Sequence, residues 1–143
     1  MYFNTSIVQV DKQGRITLPT SLFKSGGIER GGELCVYPME DYWVATDPDR
    51  LKQVLETEIP GKSMNPETRD NRRVFMMKIV SLYIDLQGRV QFQHLDKANK
   101  TDRYVVIGTG LDFEIWPLSV WQERFEKGEE DHEQNARSNP TKR

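Results

Sequence analysis

A chain of 143 residues makes one ordinary domain, or two very small ones folded against each other. Its 20 lysines and arginines stand against 22 aspartates and glutamates, a formal net charge of −2, which excludes a wholly basic nucleic-acid coat but not a local basic face. The apolar residues, 36% of the chain, cluster in strand-like runs that exclude global disorder, and a single cysteine, Cys35, excludes both an intramolecular disulfide and a cysteine-cluster zinc site.

In chain order, Met1-Tyr2-Phe3-Asn4-Thr5 lacks the basic-then-apolar form of a signal peptide. No apolar run approaches the roughly 18 residues of a membrane span. A soluble cytoplasmic protein is expected, with Asn4-Thr5-Ser6 and Asn99-Lys100-Thr101 as chance sequons. The segment Asp11-Lys12-Gln13-Gly14-Arg15-Ile16-Thr17-Leu18 reads as a tight turn and a strand. A short helical turn follows over Thr20 to Lys24, stopped by Gly26-Gly27. After an apolar strand at Leu34-Cys35-Val36-Tyr37, Asp47-Pro48 predicts an N-capped helix with Leu51, Val54 and Leu55 as its stripe. Asn65-Pro66 has the same form and predicts a helix to about Lys78. Ser119-Val120-Trp121-Gln122 fits a capping box, with Trp121 and Phe125 turned inward. Periodicity is lost from about Gly128, predicting a disordered charged tail over 128–143. Residues 123–133 hold six acids against Arg124 and Lys127, a net of −4.

The first motif recurs as Asp85-Leu86-Gln87-Gly88-Arg89-Val90-Gln91-Phe92, at an offset of 74. Leu34-Cys35-Val36-Tyr37 matches Tyr104-Val105-Val106-Ile107 at an offset of 70, where Trp43 also meets Phe113 and Leu51 meets Trp121. The chain therefore reads as two copies of one strand–turn–strand–loop–strand–strand–helix unit. In each copy side chains two apart share a strand face. Ile16 and Leu18, and likewise Val90 and Phe92, form a buried face, while Arg15 and Thr17, and Arg89 and Gln91, form a wet one.

Asp-x-x-Gly-Arg has a direct physical reading. Aspartate first and glycine fourth suit a type I turn, and Asp11 and Asp85 can accept hydrogen bonds from the turn backbone. Gly14 and Gly88 can take the left-handed conformation that closes a hairpin with a bulge. Arg15 and Arg89 then begin the return strands with outward guanidinium groups. Such a planar fork suits phosphates or guanine edges, whereas the plain alternative is a solvated arginine on a tight hairpin. A further basic cluster, Arg69, Arg72 and Arg73, shares one helical face through its i, i+3, i+4 spacing. It reads as a solvated or salt-bridged face, an auxiliary phosphate contact or an intersubunit salt bridge.

The paired Asp-x-x-Gly-Arg motifs, with Asn65-Pro66, Arg69 and Arg73 at the centre and Phe113-Glu114-Ile115-Trp116 closing the second copy, resemble the MraZ family of bacterial transcription regulators, part of the AbrB-like swapped-hairpin superfamily. The likeness covers about residues 1 to 127. It implies an α+β fold of two pseudo-symmetric AbrB-like, double-split β-barrel halves, at 1–60 and 80–127, joined by a central helix at 61–79. It also implies closed homo-oligomeric rings that bind short direct repeats of double-stranded DNA upstream of the division and cell-wall gene cluster. The family's DNA-contacting hairpin maps onto Lys12, Gln13, Gly14 and Arg15, and onto Gln87, Gly88 and Arg89. The second copy departs from the pattern, with Gln93-His94-Leu95 in place of the proline that follows Leu18, and Leu86 in place of a polar turn residue. Its hairpin is therefore the weaker candidate for DNA contact.

Other signals carry no chemistry. Gly61-Lys62-Ser63 lacks the earlier glycine of a phosphate loop, since Glu56 stands there. Gly26-Gly27 and Gly31-Gly32 read as turns, Cys35 as a buried thiol, and Trp43, Trp116 and Trp121 as core. His94 and His132 are the only histidines, with Asp131-His132-Glu133 in the acidic tail. No catalytic set, metal site, cofactor or small-molecule substrate is expected. The expectation is a cytoplasmic, nucleoid-associated DNA-binding regulator; the alternatives are a ring-forming protein-interaction module without DNA binding, an AbrB-like antitoxin and, last, a small enzyme.

Overall fold

Eight short strands are arranged so that each edge of the main sheet runs into a tight hairpin. The computed structural model describes residues 1–58, 64–97 and 101–126. The strands are β1 (Thr5–Gln9), β2 (Arg15–Thr17), β3 (Glu33–Pro38), β4 (Trp43–Thr46), β5 (Val80–Tyr83), β6 (Arg89–Gln91), β7 (Arg103–Gly108) and β8 (Phe113–Pro117). The helices are α1 (Thr20–Phe23), α2 (Pro48–Thr57), α3 (Pro66–Lys78) and α4 (Leu118–Trp121), with a 3₁₀ turn at Gln93–Leu95 and a π turn at Gln122–Glu126. The result is a mixed α+β fold. Six strands form one antiparallel sheet in the order β1-β7-β8-β4-β3-β5, and β2 pairs with β6 as a separate two-stranded ribbon.

The registers repeat under the offsets read from the sequence. Val8 opposite Tyr104 becomes Leu82 opposite Leu34, and Ser6 opposite Val106 becomes Val80 opposite Val36. Ile16 opposite Val90 and Val44 opposite Glu114 lie at the centres of their ladders, where the two copies meet.

Alternation along the strands assigns two faces to the sheet. Leu34, Val36, Ala45, Tyr104, Val106, Phe113 and Ile115 point into the main core, where they meet Ile16, Leu18, Val90 and Phe92 from the ribbon. Val105 and Trp116 point the other way, under Leu118 and Trp121 of α4. Cys35 and Tyr37 share that outer face, beside α2 and α3; Phe75 of α3 stacks on Tyr37 with ring centroids 4.6 Å apart. The ribbon, with α1 beside it, and the helices α2, α3 and α4 thus occupy opposite sides of the sheet.

Helices α2 and α3 begin where their caps predict. Asp47 accepts from the Arg50 N–H, Asn65 accepts from the Glu67 and Thr68 N–H groups, and a proline holds the first turn in both. The expected capping box at Ser119 does not form. Strand β8 runs straight through Pro117 into α4, Pro117 takes the cap position without a side-chain bond, and Ser119 lies inside the helix. Trp121 and Phe125 nonetheless pack on Trp116, at 5.7 and 5.3 Å between centroids. Residues 128–143, where the tail was expected, and Gly61-Lys62-Ser63 lie outside the described residues.

Asp47 also accepts a 2.7 Å hydrogen bond from the Tyr2 hydroxyl, tying the N-terminus to the start of α2. Burial, then the Asp47 carboxylate, push the Tyr2 phenol up, so it stays protonated and donates. A Cβ on Gly27 would collide with both groups of this pair. Asp47→Ala removes a helix cap and leaves a buried hydroxyl unpaired, so it should cost about 2–4 kcal/mol. Asp47→Asn keeps one acceptor oxygen for the cap and turns an amide N–H toward the Tyr2 hydroxyl, so it should cost less than Asp47→Ala. Urea unfolding at fixed subunit concentration checks the order.

Candidate nucleic-acid interface

Each turn is built round one carboxylate. Asp11 Oδ1 accepts from the backbone N–H of Gln13 and of Arg15, both at 2.9 Å, while Oδ2 accepts from Arg15 Nε at 2.9 Å. Asp85 repeats the arrangement with Gln87, Arg89 and Arg89 Nε, at 2.9, 2.8 and 2.8 Å. The turns close through Gly14 N–H to Asp11 O and Gly88 N–H to Asp85 O. Both glycines are left-handed, at φ 80° and 81°, a conformation that costs an L-residue roughly 1–2 kcal/mol. Both carboxyls sit below the ordinary aspartate value, chiefly through the backbone N–H of the following arginine and then through its side chain.

The two turns are interlocked. Arg15 pairs across the ribbon with Gln91, and Thr17 with Arg89. Gly14 O accepts from Phe92 and Gln93 N–H, and Gly88 O accepts from Leu18 N–H. Ile16 and Val90 are 0% and 1% exposed beneath the ribbon, so Arg15, Thr17, Arg89 and Gln91 all lie on its outer face. The arginines are one strand apart and two residues along, about 5 Å across and about 7 Å lengthwise.

The expectation of free outward guanidinium groups needs correction. Their side chains are 24% and 29% exposed, and each is ion-paired to its own motif's aspartate. The carboxylate occupies only Nε. Among the described residues the Nη groups of Arg15 and Arg89 make no hydrogen bond, which leaves the outer edge of each fork to a ligand. The pairs cancel in charge, but they fix direction.

Lys12, Gln13 and Gln87 are exposed at the turn tips, whereas Gly88 is buried beneath the Phe23 ring. Arg69, Arg72 and Arg73 are not brought to the ribbon. They lie on α3, across the sheet; Arg72 donates to Leu55 O at 3.4 Å and Arg73 pairs with Asp70 at 2.7 Å. Sequence reasoning missed Gln91, Gln93 and His94, which line an open cleft of about 600 Å³ with Lys12, Gln13 and Gly14. Two strand-end glutamines carry no pattern of their own; only their place opposite Arg15 and Gly14 marks them.

Elsewhere, a cavity of about 240 Å³ lies between α2, α3 and the sheet, lined by Cys35, Val44, Thr46, Arg50, Val54 and Phe75 among others. Burial pushes the Cys35 thiol up to about 11, helped by Glu33 and Asp47, so it is no nucleophile. Among the described residues no group of three or more histidines, cysteines and acids could hold a metal, and no helix is long and apolar enough to cross a membrane.

No protein-family profile matches the chain. Three similar proteins are each named transcriptional regulator MraZ. The one from Mycolicibacterium gilvum is 34% identical over 135 residues, covering 91% of this chain and 90% of its own length. That from Mycolicibacterium vanbaalenii is 32% identical over 134 residues, with 91% and 90% coverage. That from Kineococcus radiotolerans is 30% identical over 137 residues, with 90% of each chain covered. The chain belongs to the MraZ family of transcriptional regulators. Its relatives carry the name of regulators rather than enzymes.

The lowered carboxyl pKa values mean that each turn's contribution to stability is present above the ordinary aspartate value and is lost as pH falls through the lowered one. Side-chain carboxyl NMR titration should place Asp11 and Asp85 below the ordinary aspartate value, and Arg15→Ala should raise the Asp11 midpoint alone.

Proposed function

We propose that this chain is a sequence-specific DNA-binding transcription regulator whose β2–β6 ribbon enters the major groove. The observation that carries this reading is one exposed face bearing Arg15 and Arg89 with their Nη edges outward, on the side of the sheet away from α2, α3 and α4. A major groove admits a two-stranded ribbon, and the guanidinium fork fits guanine O6 and N7. Lys12, Lys97 and Arg30 flank the ribbon and add positive charge. The contact set is Lys12, Gln13, Gly14 and Arg15 with Gln87 and Arg89, the second turn contributing less because Phe23 covers its Gly88. The operator reading is that of the family: short direct repeats upstream of the division and cell-wall gene cluster, read by a cytoplasmic, nucleoid-associated protein.

The barrel is read as an AbrB-like swapped-hairpin unit with halves 1–60 and 80–127 joined by 61–79. In support, β1 pairs with β7 and β5 with β3, while β2 and β6 exchange across the middle. Energetics supports an assembly of such units, which we read as a closed ring. A good bidentate arginine contact is worth roughly 1–3 kcal/mol, and specific binding exceeds non-specific binding by about 4–10 kcal/mol. One ribbon falls short, and linked ribbons supply the remainder. Head-to-tail contacts, which carry one orientation forward, suit direct repeats. Phe3 and Ile7 are exposed beside the β1 edge, and Tyr83 and Met77 beside the β5 edge, giving apolar surface at both ends of the sheet.

The charge cancellation within each Asp–Arg pair favours one rival, a ring that binds a protein partner. Mobility-shift titration with promoter DNA separates the two. Arg15→Ala should weaken operator binding at least tenfold without changing oligomer size, and Arg89→Ala should weaken it less. Binding should fall steeply with salt as phosphate contacts release counterions. Salt-insensitive binding of a protein partner, with no shift of promoter DNA, would establish the rival.

A further inference from the structure

The two ends of the ribbon, equivalent by the 74-residue offset, carry different chemistry. Around Gly14 stand two glutamines. A Cβ built there would lie 3.3 Å from Gln93 Oε1 and 3.6 Å from Gln91 Oε1, so both amides crowd the glycine. Neither amide hydrogen-bonds within the described residues, and both border the open cleft beside the turn. Gln91 is the direct cross-strand partner of Arg15.

At the other end the equivalents of Gln91 and Gln93 are Thr17 and Pro19, and that of Lys97 is Phe23. There Phe23 covers Gly88, and the Arg30 guanidinium lies over the Phe23 ring at 4.2 Å. One end therefore offers a guanidinium fork beside two uncommitted amides, and the other Arg89 beside an aromatic lid that the Arg30 guanidinium covers.

A glutamine amide donates and accepts in parallel, which matches adenine N7 and N6, just as arginine matches guanine. Spending an ion pair to orient Arg15 lowers non-specific attraction and leaves discrimination to such neutral groups. We propose that Gln91 and Gln93 are specificity-determining residues that read base edges next to the base contacted by Arg15, so that only the first-turn end of the ribbon reads sequence. This rests on the DNA-binding function proposed above.

The test is selection from a pool of random-sequence duplexes by the full-length oligomer, followed by sequencing. Wild type should enrich one short box. Gln91→Ala and Gln93→Ala, both near or at the surface, should keep the oligomer and bind unselected duplex within about twofold. Each should lose about tenfold or more of its preference at one or two positions beside that read by Arg15, the scale of a lost bidentate contact. Thr17→Ala should select the wild-type box. If the double variant Gln91→Ala/Gln93→Ala enriches the same box at undiminished preference while Arg15→Ala loses it, the glutamine assignment is overturned and DNA binding stands. If wild type enriches nothing and shifts no duplex, the DNA-binding function itself falls.

Discussion

One aspartate per hairpin holds the candidate surface together. Its first oxygen takes two backbone N–H groups that would otherwise point into a bend with no partner, and its second takes the arginine Nε. The bend and the side-chain direction are therefore set by the same group. The trade is physical: a neutralised arginine attracts DNA weakly over distance but loses little rotamer entropy when its outer edge is used. Such a group is better at choosing among bases than at capturing a duplex. On the proposed DNA-binding function, capture falls to cations such as Lys12 and to the number of ribbons engaged at once.

Two such hairpins matter more than one because they share a ladder. A three-residue strand cannot stand alone, and β2 and β6 are each three residues long. They persist because Ile16 and Val90 seal the core below them and because each turn's glycine carbonyl receives an N–H from the other copy. The repeat is thus a folding requirement as well as a doubling of contacts. It also explains how the ends could diverge. The ladder needs only the backbone and the inward residues, so Thr17 and Gln91, or Pro19 and Gln93, are free to differ.

Much of this was legible in residue order. The Asp-Pro and Asn-Pro caps located α2 and α3, and the alternation of Ile16 and Leu18 against Arg15 and Thr17 gave the buried and wet sides correctly. The ion pairs were harder to see. Turn chemistry commits the aspartate to the backbone, and nothing in the spacing says that its second oxygen reaches the arginine it precedes. The Ser119 cap failed because Pro117 stiffens the entry and lets the helix start two residues sooner. Helical spacing placed Arg69, Arg72 and Arg73 on one face. It could not tell which side of the sheet α3 would occupy, since that depends on Phe75 finding Tyr37.

That placement bears on the acidic C-terminal stretch, whose charge opposes DNA binding. Glu123 and Glu126, its first described acids, belong to the turn after α4 on the helix side of the sheet. Between them and the ribbon's outer face lie the core, about 10 Å from sheet to ribbon, and a helical layer of about another 10 Å. Screening in physiological salt acts over about 8 Å, so charges some 20 Å away and partly solvated are largely damped at the ribbon. On the proposed function, the same separation leaves α3 and the two sheet edges available for contacts between subunits while the ribbon engages a duplex. A fold that put α2, α3 and α4 beside the hairpins would have forced those two tasks to compete for one surface.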